Sequence, residues 1–198
     1  IPIQDWGFSP ADEDAFFIIS GPCSAETEEQ VLTTARDLAA LGRVHLLRAG
    51  VWKPRTRPNM FEGVGQEALQ WLVRAREETG LPFSLEVATG KHVELALEAG
   101  ADVLWVGART SVNPFAVQEI ADALRGTQTR VMVKNPVNPD LELWLGAIER
   151  LAAAGLRHIA AVHRGFSVYN KGRYRNAPLW EIPVELRRRI PQMSILCD

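Results

Sequence analysis

Short apolar runs alternate with amphipathic stretches along most of the chain, and this alternation predicts repeated strand–helix units. The apolar runs predict seven strands, at residues 16–20, 45–50, 83–87, 103–106, 130–134, 158–162 and 194–197. The amphipathic stretches predict helices at residues 28–41, 66–79, 91–99, 115–124, 141–154 and 184–189. Several of these runs are apolar through their middle and do not alternate with polar residues, which is typical of parallel strands buried on both faces. The sequence therefore predicts an α/β fold built on a parallel sheet.

Two parallel architectures fit this pattern, an open doubly wound sheet and a closed (β/α)8 barrel, the TIM barrel. The first predicted strand is followed by Gly21-Pro22-Cys23-Ser24 and not by a G-x-G-x-x-G loop, which disfavours a dinucleotide-binding open sheet. A complete barrel takes about 250 residues, and this sequence has 198. We therefore predict an N-terminal extension over residues 1–15. Residues 16–198 are predicted to form a barrel whose C-terminal strand and helices are absent from these residues.

Composition narrows the class of protein. Hydrophobic residues make up 46% and charged residues 23%, an ordinary globular mixture, and the net charge of −2 disfavours a strongly basic nucleic-acid-binding protein. No apolar run approaches the roughly 20 residues of a membrane span, and the first residues have no signal-peptide pattern. The two cysteines are too few for a disulfide framework, so we expect a cytoplasmic protein.

Cationic side chains follow several of the predicted strands. In a parallel barrel these strand ends meet on the face that carries the active site, so the cations should converge there. Clustered cations repel each other unless an anion lies among them, and Arg and Lys suit carboxylate and phosphate oxygens. The sequence therefore predicts a site for phosphorylated, carboxylated small molecules. The cations concerned are Arg48, Lys53, Arg55, Arg57, Arg109, Lys134 and Arg164.

Other polar and aromatic residues allow simpler interpretations. Cys23 fits a buried thiol, a metal ligand or a nucleophile, and a nucleophile would need a base, for which His163 is the evident candidate. The remaining histidines and three tryptophans are most simply structural: His45, His92, His158, Trp52, Trp105 and Trp144. The run of arginines at 187–189 is most simply a solvated helix face.

The strand-end segments together resemble the DAHP synthase family (3-deoxy-D-arabino-heptulosonate 7-phosphate synthase), closest to its type I-beta branch. The segments occur in the family's order, one at each strand, over most of the chain. They are Gly21-Pro22-Cys23-Ser24, Arg48 with Lys53-Pro54-Arg55-Thr56, Gly107-Ala108-Arg109, Lys134-Asn135, His163-Arg164-Gly165 and Cys197-Asp198. The Lys-Pro-Arg-Thr loop is the most diagnostic, because the related KDO-8-phosphate synthases have a different loop there.

The resemblance implies an aldol-type transferase that condenses phosphoenolpyruvate with erythrose 4-phosphate and releases phosphate, the first step of the shikimate pathway. It implies that Lys53 lies at the reacting centre as a proton-transfer group. It further implies a phosphoenolpyruvate clamp made by Arg48, Lys53, Arg109, Lys134 and Arg164. Arg55 and Thr56 match the erythrose 4-phosphate site.

The resemblance also implies a divalent metal, Mn²⁺, Fe²⁺, Co²⁺ or Zn²⁺, that polarises the aldehyde carbonyl. Cys23 matches the metal-binding cysteine, and the remaining ligands are expected beyond Asp198, which matches the aspartate that precedes the family's histidine ligand. A homodimer and a C-terminal chorismate mutase domain are further expectations from the family. The alternatives are a KDO-8-phosphate-synthase-like enzyme, a non-catalytic sensor of phosphorylated ligands, and a platform for a mutase partner.

Overall fold

A curled, entirely parallel sheet forms the centre of the structure, a computed structural model that describes residues 1–8, 16–55, 57–169 and 172–198. Within these residues the sheet has seven strands in sequential order, and every neighbouring pair is parallel. The strands are β1 (Ile19–Ser20), β2 (Leu46–Arg48), β3 (Phe83–Val87), β4 (Val103–Val106), β5 (Arg130–Lys134), β6 (Ile159–His163) and β7 (Ile195–Cys197). The sequential parallel order is the strand order of a (β/α)8 barrel.

The helices lie between successive strands, as the alternation of the sequence predicts. They are α1 (Glu28–Ala40), α2 (Gln66–Thr79), α3 (Gly90–Glu98), α4 (Pro114–Ala123), α5 (Leu141–Ala153) and α6 (Glu181–Arg189). Several begin at a side chain that accepts a hydrogen bond from the first turn: Thr27 from the Gln30 amide, and Asp140 from the Leu143 amide. None of the helices among the described residues is long and apolar enough to cross a membrane.

Most predicted boundaries agree with the structure to within one or two residues, and β3, β4 and β5 agree at both ends. The main difference is β1, predicted over 16–20 but paired only at Ile19–Ser20, while Phe16 lies 86% exposed. Helix α6 begins at Glu181, three residues before its predicted start, and β6 extends one residue further to His163. Apolar character alone did not define β1, because pairing with β2 begins only at Ile19.

Two apolar clusters hold the sheet. The larger lies between the sheet and the surrounding helices. The smaller fills the concave inner face with residues Ile3, Trp6, Leu46, Val103, Trp105, Met132, Ala160 and Val162.

The first residues of the chain belong to the inner cluster. A short 3-10 helix at Ile3–Trp6 lies against the amino ends of the last strands, where the Ile3 amide donates to Ser194 Oγ at 3.0 Å. Trp6 is fully buried. Part of the predicted extension at 1–15 therefore packs as core, and residues 9–15 lie outside the described residues.

Candidate active site at the carboxyl ends of the strands

A cavity of about 1030 Å³ runs along the concave face of the sheet. Apolar side chains such as Ile3 and Met132 line its lower part, and its upper part is lined by Arg48, Lys134 and Asp198. Strands β2 and β5 end in Arg48 and Lys134, and Asp198 directly follows β7, so these charged side chains collect at the carboxyl ends. This is the end at which parallel barrels carry their active sites.

Lys53 and Cys23 form a close pair near Arg48, one of the residues that line this cavity. Lys53 Nζ donates to the Cys23 carbonyl oxygen at 2.8 Å and lies 3.4 Å from Cys23 Sγ. Burial raises the pKa of the Cys23 thiol, but the charges of Lys53 and Arg48 and their hydrogen bonds outweigh burial, so the pKa lies below its usual value. The strand-end cations thus favour the thiolate form of Cys23, the form that binds metals.

Trp105 forms the floor of the cation cluster. It is 2% exposed on β4, with the Arg48 guanidinium carbon 4.9 Å and Lys134 Nζ 5.8 Å from its ring centroid. Aromatic faces attract cations at these distances. The prediction that Trp105 only packs is therefore incomplete, because its ring also supports two of the predicted site residues.

Lys134 makes an ion pair with Asp198 across the sheet. Lys134 Nζ lies 2.6 Å from Asp198 Oδ2, and the lysine side chain is only 18% exposed. Burial raises the pKa of Asp198. The hydrogen bond and charge of Lys134 and the charges of Arg48 and Arg164 lower it by more, so the pKa lies below its usual value. Asp198 is therefore an ionised group that partly neutralises the cluster.

Glu86 is a site residue that the sequence analysis did not assign to the site. It occupies an inward position on β3, and Trp105 is its register partner on β4. Burial raises the pKa of Glu86, and the charges of Lys53, Lys134 and Arg48 and a contact with the Trp105 indole oppose that rise. Glu86 could have been found from the sequence, because it lies two residues after Ser84 and alternate residues of a strand face the same side of the sheet.

Arginines that follow β4 and β6 lie close enough to interact electrostatically. Burial lowers the pKa of the partly buried Arg164, and the nearby charges of Arg109 and Arg175 lower it further. Three guanidiniums this close form a strongly electropositive rim suited to a phosphate group. Arg175 was not predicted, because it lies in an irregular segment after β6 and not directly at a strand end.

Asn135 fixes the backbone that presents Arg164. Its fully buried side chain accepts from the Arg164 amide at 2.7 Å and donates to the Gly165 carbonyl at 2.8 Å and the Pro136 carbonyl at 2.9 Å. The carboxyl ends of β5 and β6 are thereby joined through one side chain. This explains why an asparagine follows Lys134 at the end of β5.

Arg55 belongs to a self-bonded loop beside the cluster. The Lys53 amide donates to the Glu62 carbonyl at 2.7 Å, the Gly65 amide to the Val51 carbonyl at 2.9 Å, and Arg55 Nε to the Phe61 carbonyl at 2.8 Å. Arg55 is exposed. Thr56, the other predicted sugar-phosphate residue, lies outside the described residues.

His163 does not pair with Cys23 as a catalytic base would. The His163 side chain is 4% exposed and packs against Phe166 and Trp180, with ring centroids 5.9 and 4.7 Å away, and burial lowers its pKa. Cys23 contacts Lys53 instead. The arrangement excludes a Cys23–His163 nucleophile and base in this structure.

The described residues do not make up a complete metal site. No group of three or more His, Cys, Asp or Glu side chains is placed among them so as to hold an ion. Cys23 is the only predicted ligand present, and one thiolate does not hold a catalytic metal. A metal at Cys23 would need ligands beyond the described set.

Charge neutralisation at Glu86 has a testable consequence for stability. Burial raises the pKa of the Glu86 carboxyl above its usual value of about 4.5, so the folded state favours the uncharged form. The uncharged carboxyl stabilises the folded protein below that pH, and this stabilisation is lost as the pH rises and Glu86 ionises. We expect Glu86→Gln to raise the thermal midpoint at pH 7, with the difference shrinking towards pH 4. The exposed control Glu77→Gln should show no such trend. An E86Q midpoint lowered equally at both pH values would contradict this assignment.

Comparison with known proteins places this site in a family. A sequence model of the DAHP synthetase I family matches residues 5–198. The chain belongs to the DAHP synthetase I family. The phospho-2-dehydro-3-deoxyheptonate aldolase of Thermotoga maritima is 31% identical over 183 residues, 92% of this chain and 52% of that protein. The 2-dehydro-3-deoxyphosphooctonate aldolase of Nitratidesulfovibrio vulgaris is 31% identical over 162 residues, 76% of this chain and 56% of that protein.

Solved structures of the DAHP synthetase I family agree with the fold. The crystal structure of the Thermotoga maritima DAHP synthase aligns with a TM-score of 0.81 at 29% identity, over 98% of this chain and 54% of that chain. A truncated form of the 3-deoxy-D-arabino-heptulosonate 7-phosphate synthase from Thermotoga maritima aligns with a TM-score of 0.75 at 27% identity, over 94% of this chain and 64% of that chain. The predicted TIM-barrel fold is confirmed, and the chain spans about half the length of the curated relatives it matches.

Proposed function

We propose that the full-length protein condenses phosphoenolpyruvate with erythrose 4-phosphate to give DAHP and inorganic phosphate. The observation that carries this proposal is the cluster of Arg48, Lys53 and Lys134 around Glu86 and Trp105, at the strand ends of a DAHP synthetase I family chain. A small carboxylated phosphate suits such a cluster, because its negative charges offset those of the arginines and lysines.

The phosphoenolpyruvate clamp is proposed to use the arginines and lysines at the strand ends. Arg48 and Lys134 lie over Trp105, and Arg164 lies near Arg109 and near Asp198, the partner of Lys134. Lys134 is paired with Asp198 in this structure, so the incoming anion competes with a carboxylate already present. Catalysis here consists mainly of holding two anions together in the correct orientation.

Lys53 is proposed to move the proton. A bond forms between C3 of phosphoenolpyruvate and the aldehyde carbon, and the former aldehyde oxygen takes a proton from the Lys53 ammonium. Water adds at C2, and one of its protons restores the ammonium. The C2–O bond to phosphate then breaks, the phosphate leaves with the second proton, and C2 becomes the ketone. The 3.4 Å contact of Lys53 Nζ with Cys23 Sγ supports this assignment, because it places the ammonium at the site rim.

The loop that follows Lys53 is proposed to bind the second substrate. Arg55 is exposed and its Nε donates to the Phe61 carbonyl, so the other guanidinium donors can meet a phosphate. Thr56 stays a predicted partner in the same role. The aldehyde end of the sugar would then point towards Lys53.

Cys23 would be one ligand of a divalent metal that polarises the aldehyde carbonyl. The family is generally metal-dependent, and the charges of Lys53 and Arg48 lower the pKa of Cys23, which favours the metal-binding thiolate. The described residues do not by themselves supply a coordination set. The homodimer, the cytoplasmic location and a C-terminal chorismate mutase domain stay predictions.

A second candidate function is supported by the match to 2-dehydro-3-deoxyphosphooctonate aldolases. The two activities differ in the aldehyde, so we expect the full-length protein to release phosphate from phosphoenolpyruvate with erythrose 4-phosphate and not with arabinose 5-phosphate. The measurement is kcat/KM for each aldehyde with added Mn²⁺. Turnover with arabinose 5-phosphate alone would contradict our assignment, and binding without turnover of either would indicate a sensor.

A further inference from the structure

Trp52 is stacked face to face on a histidine that no proposed chemical step uses. The ring centroids of Trp52 and His92 lie 4.0 Å apart with an interplanar angle of 3°. Trp52 directly precedes Lys53 and is the second residue of the segment 51–65, which we call the Lys53 loop. The other half of the stack, His92, lies in the first turn of α3, outside this loop.

The Lys53 loop is closed mainly by its own hydrogen bonds. Its backbone joins Lys53 to Glu62 and Gly65 to Val51, and Arg55 donates within the loop. These bonds fix the shape of the loop. Its position on the barrel depends on contacts outside the loop: Lys53 Nζ donates to the Cys23 carbonyl, Val51 is buried in the core, and the Trp52–His92 stack joins the loop to α3.

His92 is itself held firmly. Its Nδ1 accepts from the Ala88 amide at 3.2 Å, and its own amide donates to Thr89 Oγ1 at 3.2 Å. The same helix start is joined to α4, because the Gly90 amide donates to Glu119 Oε1 at 2.7 Å. The ring therefore presents a fixed plane on which the indole of Trp52 rests.

The charge state of His92 agrees with this arrangement. Accepting a hydrogen bond at Nδ1 requires that this nitrogen carry no proton. Burial lowers the pKa of His92, and the facing Glu119 carboxylate partly opposes that effect. The nearest other charges on its helix, Lys91 and Glu94, pair with each other at the surface.

We propose that His92 is a positioning residue that sets the place of Lys53 and the sugar-phosphate loop through its stack on Trp52. This inference rests on the proposed function for its kinetic consequence. It also has a structural consequence that does not depend on activity. Without the His92 ring, the Lys53 loop should detach from α3 more often. Aromatic pairs of this kind contribute enough to change the open fraction of the loop about three- to tenfold.

The sequence provides a reporter of the loop position. Trypsin cleaves after Lys and Arg unless proline follows, and within the loop both Lys53 and Arg57 are followed by proline. The Arg55–Thr56 bond is therefore the cleavable one in this segment. Its cleavage rate under native conditions, followed by mass spectrometry, measures how often the loop opens.

The experiment compares three histidine variants of the full-length protein. His92→Asn keeps an acceptor for the Ala88 amide but removes the ring, and His92→Phe keeps a ring without the acceptor. His45→Asn is the matched control, because His45 Nδ1 also accepts a backbone amide, that of Ile18, and its ring also stacks, on Phe17. His45 precedes β2 at the opposite end of the sheet.

We expect H92N to speed cleavage at Arg55–Thr56 about three- to tenfold, and H92F to restore it to within about twofold of the wild-type rate. H45N should leave this cleavage unchanged. We also expect H92N to raise KM for erythrose 4-phosphate by a similar factor and KM for phosphoenolpyruvate by less, because Arg48 and Lys134 lie outside the loop.

Wild-type cleavage in H92N, or equal acceleration in H92N and H45N, would overturn the proposal. A wild-type protein that forms no DAHP would refute the proposed function and the kinetic role of His92 with it. The cleavage rates would still decide whether His92 positions the loop.

Discussion

Replacing Lys53 with methionine is expected to lower kcat/KM for DAHP formation by about 10²- to 10⁴-fold. Methionine keeps the length and apolar stem of lysine but removes the ammonium that donates to the Cys23 carbonyl. The alkoxide formed on carbon–carbon bond formation then has no positioned proton donor. Initial-rate kinetics with both substrates varied give the loss.

Two variants make the Lys53 experiment specific. Lys53→Arg keeps a positive charge but not a compact ammonium, so we expect it to restore binding of phosphoenolpyruvate better than turnover. Lys91→Met removes a surface lysine whose side chain is 67% exposed and paired with Glu94, and should leave the rate unchanged. A K53M enzyme within about tenfold of wild type would contradict the proton-transfer role.

Replacing Gly21 with alanine is expected to have the largest effect on stability, a loss of about 4 kcal/mol or more in the free energy of unfolding. Gly21 has φ +150°, and a Cβ there would lie 2.0 Å from the Arg48 carbonyl oxygen, a backbone atom that cannot rotate away. The β1 and β2 ends would have to separate. Urea unfolding of the purified variant measures the loss.

The control for Gly21 is another glycine with a positive φ. Gly42 has φ +64° and no atom within 4 Å of a built Cβ, so Gly42→Ala carries only the backbone strain of about 1–2 kcal/mol. Equal losses in G21A and G42A would show that the close approach of β1 to β2 at this point is unimportant. Because Arg48 would move with β2, we also expect G21A to weaken phosphoenolpyruvate binding.

The fold was predictable where strands are apolar throughout and end at clear breaks. The β4 run from Val103 to Val106 is buried at every position, so its bounds follow from composition alone. β1 was harder, because its length depends on pairing with β2 and not on its own residues. The packing of Trp6 under the sheet had no local signal, since it depends on contacts with distant strands.

The cations of the candidate site were predictable from the sequence, but the contacts between the site residues were not. Strand ends placed Arg48 and Lys134 together because parallel strands end at one edge. Glu86 and Trp105 join them only through the register of β3 with β4, which no local pattern shows. The contact of Lys53 with Cys23 also depends on how the loop after β2 folds back, a tertiary effect.

The most direct test of the central claim is ³¹P NMR of the full-length protein mixed with phosphoenolpyruvate, erythrose 4-phosphate and Mn²⁺, with the metal removed before the spectrum is recorded. The account predicts that both substrate signals disappear together and that one inorganic phosphate and one new sugar phosphate signal appear in equal amounts. Unchanged substrate signals, or phosphate released from phosphoenolpyruvate with erythrose 4-phosphate intact, would contradict it.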